Sequence, residues 1–308
     1  MNDLSKKILT TIAYYDIFDY PLTSFELWKY LIRHNGAEKK EYSILDIISE
    51  LEGEEIKTKI EEYNGFYFLR GRRELVGQRI EKNKIAEKKF KKVIKIAKIL
   101  RFVPFVRMIA ATGTLAMKNT DLSSDLDLLV VLKHGKIFTG RTLVTLITHL
   151  LGVRRYGNKI SNRICLNFFI TDESLEINIK DLFSSSEYYF LWPLYGYDVF
   201  QKFQNANNWI RQFRDNYSSE EIASLKILRH NSLIKKIKYF GEVILSFEYV
   251  ELWLKNWQTG RILRDPRTHF NGSMVVADDH TLIFLPEPQG PGVFERFQQK
   301  MKGLDMGK

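Results

Sequence analysis

Residues 106–132 read VRMIAATGTLAMKNTDLSSDLDLLVVL, and this stretch decides the fold expected for the middle of the chain. Two apolar runs, 108–111 and 128–132, lie on either side of a polar segment and predict two buried strands. The first run leads into Gly113, and glycine allows a tight turn and the close approach of another group to the backbone. The stretch therefore predicts a strand, a turn, a loop and a second strand.

A pair of carboxylates precedes the second apolar run. Alternate side chains of a strand share a face, so Asp125 and Asp127 are expected on one face and Leu126 on the other. Two carboxylates this close repel each other unless a cation lies between them, and Mg²⁺ is bound by one or two carboxylates together with water and phosphate oxygens. The pair therefore predicts a metal site beside the glycine turn. Two solvated acids at a strand end are the alternative.

A glycine turn followed nine residues later by an Asp-x-Asp pair is found at Gly113-Thr114 and Ser124-Asp125-Leu126-Asp127. This spacing resembles the Gly-Ser…Asp-x-Asp signature of the DNA polymerase beta-like nucleotidyltransferase superfamily, especially its minimal and antibiotic-modifying members. The resemblance covers residues 104–185. More loosely, YYDIFDYPLT near the start and ICLNFFIT in the middle are similar to an uncharacterised bacterial group of predicted nucleotidyltransferases with an N-terminal winged helix.

The resemblance implies an enzyme that moves a nucleotide from a nucleoside triphosphate, expected to be ATP, to a hydroxyl group with the help of Mg²⁺. The acceptor, whether a small molecule, an RNA or a protein, is left open. Asp125 and Asp127 would be the catalytic metal ligands. The triphosphate would be held by groups of the turn and the loop, at Gly113, Thr114, Lys118 and Ser124.

One departure from the family pattern concerns catalysis. The superfamily usually supplies a third carboxylate from a later strand, and the matching position here is Asn167. Asparagine can coordinate Mg²⁺ through its carbonyl oxygen but cannot accept a proton from a hydroxyl group. Glu176 or Asp181 could substitute. The alternative function is therefore a catalytically weak or inactive binding or regulatory protein with the same fold.

The first 74 residues are expected to form a separate domain. Three amphipathic helices, starting near Leu4, Ser24 and Glu41, precede a hairpin at Asn64-Gly65, which is the order of a winged helix. The third helix, EYSILDIISELEGEE, is acidic, so duplex DNA is not expected to bind through it and a protein-interaction or substrate-positioning module is favoured. A contact between the basic residues of the hairpin and a nucleic-acid phosphate backbone is the remaining alternative.

Residues 75–103 are predicted to be a basic linker helix. Its apolar side chains form one stripe at helical spacing, namely Ala86, Phe90, Val93, Ala97 and Leu100. Lysines cover most of the remaining surface. A solvated helix between two domains is one interpretation. A basic surface that gathers nucleotide or nucleic acid near the site is the other.

Two regions complete an α+β chain. A nucleotidyltransferase-fold domain is expected over 104–190, with a helix at 140–153, a strand at 162–171 and a possible fourth strand at 175–183. Residues 191–308 are expected to be mainly helical with a turn-rich tail. In that tail the residues His269, Asp278, Asp279 and His280 look like metal ligands, but without helical spacing or a cysteine partner they are expected to be exposed loop residues.

Charge, apolar runs and cysteine content limit the class of protein that this sequence can encode. The net charge of +10 attracts polyanions without identifying one. No apolar run reaches the ~20 residues that span a bilayer, so no membrane contact is expected and a cytoplasmic location follows. The single cysteine, Cys165, excludes an intramolecular disulfide and is expected to be a small buried hydrophobic residue rather than a nucleophile.

Overall fold

The computed structural model describes residues 1–33, 40–219, 227–229 and 231–304 and has a mixed α+β fold, which confirms the predicted class. The helices are α1 (Asp3–Asp16), α2 (Ser24–Lys29), α3 (Ile44–Leu51), α4 (Glu54–Lys57), α5 (Glu74–Leu100), α6 (Gly113–Ala116), α7 (Ile137–Leu150), α8 (Leu182–Tyr189), α9 (Tyr197–Ala206), α10 (Ser232–Ile244), α11 (Glu248–Leu263) and α12 (Gly290–Gly303). The strands are β1 (Leu22–Thr23), β2 (Ile60–Tyr63), β3 (Phe66–Leu69), β4 (Val106–Ala111), β5 (Leu126–Leu132), β6 (Ile164–Thr171), β7 (Trp192–Tyr195), β8 (Met274–Ala277) and β9 (Thr281–Leu285). Within the described ranges, no helix combines the length and the apolar character needed to cross a bilayer.

The N-terminal helices surround a small antiparallel sheet with the strand order β1-β3-β2. Asn64 and Gly65 form the turn between β2 and β3 with φ angles of 53° and 78°, as the Asn-Gly pair predicts. Ser43 begins α3 with a capping box that it shares with Asp46. The helices and the hairpin occur in the predicted order, and their assignment as a winged helix stays a prediction.

The long basic helix α5 packs on the central sheet. All five residues of its predicted apolar stripe are buried there. Lys89 is also buried, and its ammonium group donates hydrogen bonds to the backbone oxygens of Asp121 (2.5 Å) and Ser124 (2.7 Å). Other lysines of the helix, among them Lys88 and Lys95, are exposed. The helix therefore supports the sheet on one side and anchors the loop before β5.

The central sheet has six strands in the order β7-β4-β5-β6-β9-β8. β5 and β6 are parallel, and the other neighbours are antiparallel. Helices α5, α7 and α11 cover one face, while α9 and the segment around Trp209 cover the other. The end of β4 and the starts of β5 and β6 therefore meet at one edge of the sheet.

Three strands of this sheet come from beyond residue 190. β7 pairs with β4, placing Trp192 beside Ala111, and β9 pairs with β6, placing Leu282 beside Phe169. The aromatic segment around β7 lies in the region expected to be mainly helical, yet it forms an edge strand whose residues Leu194 and Tyr195 are buried in the core. Helices α9 to α12 occupy much of the predicted helical region, of which 220–226, 230 and 305–308 lie outside the described residues.

The predicted strand at 175–183 is wrong. Residues 175–181 form no strand, and α8 begins at Leu182. The alternating apolar residues Leu175 and Ile177 are buried, which produced the strand-like pattern. However, the backbone N–H of Ile177 donates to the Oδ1 atom of Asn207 (2.9 Å), so a side chain satisfies it instead of a neighbouring strand.

Candidate functional site

The glycine turn lies directly against the second carboxylate of the Asp-x-Asp pair. Gly113 has a φ of 63°, and a Cβ atom added to it would lie 3.1 Å from Oδ2 of Asp127. The backbone N–H of Thr112 donates to the carbonyl oxygen of Asp127 (3.2 Å), which holds the end of β4 beside the start of β5. Glycine adopts this left-handed backbone and permits this close approach without strain, whereas any other residue would be strained here.

Asp125 and Asp127 lie together, as their alternation in the sequence predicts. Asp127 is half-buried and lies in register with Cys165 of β6. Asp125 immediately precedes β5, and its Oδ2 atom accepts a hydrogen bond from Nη1 of Arg155 at 2.5 Å. A guanidinium group therefore neutralises Asp125, whereas Asp127 forms no ion pair with the residues that the structure describes.

The environment of Asp127 favours its protonated form in the absence of a cation. Burial and the charges of Asp125 and Glu187 raise the pKa of the Asp127 carboxyl to about 7. The Cys165 thiol, which lies beside that carboxylate, opposes the rise in its pKa. Like charges are thus held together here at a cost in stability, which a bound cation would relieve.

Cys165 is a member of the site rather than a buried hydrophobic residue. Its Sγ atom and one carboxylate oxygen each from Asp125 and Asp127 lie within 4.8 Å of one another. Burial and the two carboxylates raise the thiol pKa, so the sulfur stays protonated and is not a nucleophile. The donor set fits Mg²⁺ through its carboxylate oxygens, since Mg²⁺ prefers oxygen ligands.

A third carboxylate reaches this edge from α8. One oxygen of Glu187 accepts a hydrogen bond from the hydroxyl group of Thr112 (3.1 Å), the residue before Gly113. Burial raises the pKa of Glu187, and the charge of Glu187 raises that of Asp127. We refer to Asp125, Asp127 and Glu187 as the acidic edge. No sequence motif surrounds Glu187, and only the packing of α8 on β4 places it here.

The two acidic residues that could substitute, Glu176 and Asp181, have partners away from Asp125 and Asp127. Glu176 pairs with Lys180 at 2.5 Å on the surface. Asp181 caps α8 by accepting a hydrogen bond from the backbone N–H of Ser184 (2.7 Å). Both carboxylates therefore have structural roles.

Asn167 lies on β6, two residues beyond the position opposite Asp127. Cys165 pairs with Asp127 and Phe168 with Leu129, so β6 has one more residue than β5 between these two pairs. This arrangement is a β-bulge, and Asn167 belongs to it. The strand thus brings a thiol, not an amide, into register with the carboxylate.

The residues expected to hold phosphate have different surroundings. Thr114 is exposed next to Gly113, in a position that a ligand can reach. The ammonium group of Lys118 pairs with Glu87 of α5 (2.9 Å), which directs it towards that helix. The hydroxyl group of Ser124 accepts a hydrogen bond from the backbone N–H of Asp121 (3.2 Å) and shapes the loop before β5.

The four possible ligands of the tail do not converge. Asp278, Asp279 and His280 are exposed in the turn between β8 and β9, and Asp279 pairs with Lys255 (2.6 Å). His269 instead contacts the carbonyl oxygen of Leu263 (2.9 Å). Their expected assignment as exposed residues is confirmed. In the part of the chain that the structure describes, the one group suited to a metal ion is the Asp-Asp-Cys group.

Neither a protein-family model nor a curated protein nor a solved structure matches this chain.

Proposed function

We propose that this protein is a Mg²⁺-dependent nucleotidyltransferase that moves a nucleotide from ATP or a related triphosphate to a hydroxyl group. The observation that carries the proposal is the contact between Gly113 and Asp127. It joins a turn open to phosphate to a carboxylate whose neighbours, Asp125 and Glu187, are also acidic. An edge with this charge favours binding of a cation, and a triphosphate would bring its anionic oxygens to that cation.

The acidic edge supplies the metal ligands in this proposal. Asp125 and Asp127 would hold Mg²⁺, which when bound would neutralise charge on the attacked phosphate and the departing pyrophosphate. The backbone N–H groups of Gly113 and Thr114 would hold the triphosphate. Arg155 would exchange its contact with Asp125 for one with a phosphate oxygen, because a guanidinium group binds phosphate as well as it binds carboxylate.

The transfer forms one bond and breaks one. The acceptor hydroxyl oxygen attacks the α-phosphorus, and the bond from that phosphorus to the oxygen bridging to the β-phosphate breaks. Pyrophosphate leaves with the bonding electrons. The hydroxyl proton passes to a carboxylate, and Glu187 is the candidate because its hydrogen bond with Thr112 holds it next to the glycine turn.

A second function, nucleotide binding without turnover, is supported by two observations. Cys165 occupies the β6 position in register with Asp127, where a carboxylate would complete the family pattern. Arg155 already neutralises Asp125. A protein with these features would hold a nucleotide as a regulatory ligand, and its N-terminal domain would then transmit the bound state.

The test combines nucleotide binding with turnover. Calorimetry should detect ATP binding in the presence of Mg²⁺, and the double variant Asp125→Asn/Asp127→Asn should lose it. Asp121→Asn is the matched control, since Asp121 is an exposed acid in the loop before β5. Absence of ATP binding by the wild-type protein would refute both proposed functions, and unchanged binding by the double variant would refute a Mg²⁺ site at the Asp pair.

Release of pyrophosphate, measured with a panel of triphosphates and hydroxyl acceptors, separates the two functions. Turnover that requires the Asp pair supports the transferase. Binding that requires the pair, with no pyrophosphate released for any acceptor, supports the regulatory protein.

A further inference from the structure

Three arginines lie together next to the acidic edge without acidic partners. Arg141 belongs to α7, Arg154 follows that helix, and Arg261 lies near the end of α11. None of the three pairs with a carboxylate among residues 1–33, 40–219, 227–229 and 231–304. We refer to these residues as the arginine cluster.

The packing of α11 on α7 brings the arginine cluster together. Nη1 of Arg141 donates a hydrogen bond to Oε1 of Gln258 (2.5 Å), and Arg261 lies one helical turn beyond Gln258. The guanidinium group of Arg141 also lies 4.4 Å from the ring centre of Phe284, and its Nε atom is buried without a hydrogen-bond partner.

The three guanidinium groups of the arginine cluster repel one another. Burial, and then the charges of Arg154 and Arg261, lower the pKa of Arg141 to about 10. The pKa of Arg154 is lowered by burial and by Arg261. A bound anion would relieve this repulsion, and no carboxylate of the described part of the chain pairs with these three arginines.

A row of exposed aromatic residues on α11 leads to the arginine cluster. Tyr249, Trp253, Trp257 and Arg261 recur at every fourth position, and the three aromatic side chains are 77%, 60% and 51% exposed. The two indole planes are parallel within 5°, with centroids 6.4 Å apart. The guanidinium group of Arg261 lies 6.0 Å from the centre of the Trp257 ring. The surface is thus a run of flat π faces that ends at a positive charge.

The arginine cluster continues to the acidic edge through neighbouring residues. Arg154 pairs with Ile164, which is adjacent to Cys165 at the start of β6. Arg155, the next residue in the chain, contacts both Asp125 (2.5 Å) and the Sγ atom of Cys165 (3.6 Å). A ligand that follows α11 and crosses the arginine cluster therefore arrives at the acidic edge.

We propose that this surface binds single-stranded nucleic acid, so that the acceptor of the proposed transferase is a hydroxyl group of such a strand. The arginine cluster would contact backbone phosphates, and bases would stack on Trp253 and Trp257, as in proteins that combine a positive groove with aromatic platforms. This inference rests on the proposed function for the identity of the reaction. Binding of the strand is independent of the proposed function.

Single-stranded nucleic acid fits this surface better than two other partners do. In a duplex the bases are already stacked and paired, so their faces are not available to the indole rings. A second copy of this chain or another apolar protein surface would cover the aromatic row but would also bury the arginine cluster without counter-charges, which is costly. A polyanion with exposed flat bases satisfies both parts of the surface.

The test is fluorescence anisotropy with a labelled single strand of about 12 nucleotides, a length within the range of known aromatic-platform sites. We expect binding that weakens as salt rises, and weaker binding of a duplex of the same sequence. The double variant Arg154→Gln/Arg261→Gln should bind at least about tenfold more weakly and should have a salt dependence lower by about one to two phosphate contacts.

The aromatic row is tested separately. Trp253→Ala/Trp257→Ala should weaken binding at least about fivefold, and the strand should quench tryptophan fluorescence in the wild-type protein but much less in this variant. Lys236→Gln is the matched control for charge, since it removes an exposed lysine from α10, and it should change affinity less than about twofold. Circular dichroism of each variant verifies that it is folded. Arg261→Lys keeps the charge and should restore most of the binding.

Several results would overturn the inference. These are absence of strand binding, equal binding by the arginine and control variants, and equal binding of the duplex. Sedimentation that shows self-association lost in the tryptophan variant would identify the row as an interface between copies instead. Failure of the proposed function is distinguishable, because Asp125→Asn/Asp127→Asn should abolish binding of ATP with Mg²⁺ and leave strand binding intact.

Discussion

The acidic edge and the arginine cluster are opposite in charge, but in both of them repulsion between like charges shifts the pKa of a partly buried group. At the first, Asp125 and Glu187 raise the pKa of Asp127. At the second, Arg154 and Arg261 lower the pKa of Arg141. Each region holds like charges together in a partly buried place, where their repulsion lowers the stability of the fold.

The comparison indicates what each region lacks. A cation would stabilise the acidic edge, and an anion would stabilise the arginine cluster. Buried like charges with shifted pKa values are frequent at functional sites, because a bound ligand supplies the opposite charge there. The two regions are joined by Arg154 and Arg155, which are consecutive in the chain, so that one ligand with a phosphate chain could contact both.

The largest effect is expected from Glu187→Gln, which removes a charge from the acidic edge and leaves the shape of the side chain. If Glu187 accepts the hydroxyl proton, the rate of pyrophosphate release should fall about 10²–10⁴-fold. Glu176→Gln is the matched control, since Glu176 pairs only with Lys180 at the surface, and its rate should stay near that of the wild type. Equal rates for both variants would remove Glu187 from the mechanism.

Gly113→Ala tests whether the turn must approach the carboxylate. The added methyl group would lie 3.1 Å from Asp127 Oδ2 on a backbone with a φ of 63°, so we expect a loss of about 1–3 kcal/mol in unfolding free energy. Binding of ATP with Mg²⁺ should weaken as well. Gly77→Ala in α5 is the control, because that site has open space and an alanine inside a helix should stabilise by about 0.5–1 kcal/mol. A loss of stability of the same size in both variants would contradict the special role of Gly113.

Asp127→Asn tests the repulsion at the acidic edge through pH. The folded-state pKa of Asp127 is about 7 and its ordinary value is 3.8, so the wild-type protein loses stability from this group as pH rises from about 4 to 7. In EDTA, the variant should therefore be more stable than the wild type at pH 8 by at least about 1 kcal/mol, with little of this advantage at pH 4. Denaturant unfolding at both pH values measures it. An advantage that does not depend on pH would argue against repulsion as the cause.

Arg154→Gln is the counterpart at the arginine cluster and should have the smallest effect. Removing one of three repelling cations should raise the unfolding free energy by a few tenths of a kcal/mol at low salt. Because salt screens charges at the surface, the gain should shrink at high ionic strength. Thermal unfolding of the variant and of Lys236→Gln at two salt concentrations provides the measurement. A loss of stability in Arg154→Gln would mean that this arginine has an attractive partner.

The two regions also differ in how far they could be predicted. The Gly113 turn and the Asp125-Asp127 pair lie close together in the chain, and the rules that place them are local. Glycine permits the turn, and strand alternation puts both carboxylates on one face. The buried stripe of α5 was predicted for the same reason, because helical spacing alone determines which side chains share a face.

The third carboxylate could not be predicted in this way. Strand register places Cys165 opposite Asp127, whereas Asn167 lies two residues further along β6, at the one-residue bulge. The position of Glu187 depends on how α8 packs against β4, and nothing near Glu187 in the chain signals that contact. The prediction of a strand at 175–183 was wrong for a similar reason. The side chain of Asn207, at the end of α9, accepts the hydrogen bond from the backbone N–H of Ile177 that a neighbouring strand would otherwise accept.

The sequence by itself determined the α+β class, the glycine turn and the paired carboxylates, since these depend on residues that are neighbours in the chain. Only the tertiary structure decided the third carboxylate, the thiol beside the pair and the arginine cluster. The members of that cluster, at positions 141, 154 and 261, are brought together by the packing of α7 and α11. Contacts between distant segments depend on strand order and helix packing, which the pattern of any single segment does not contain.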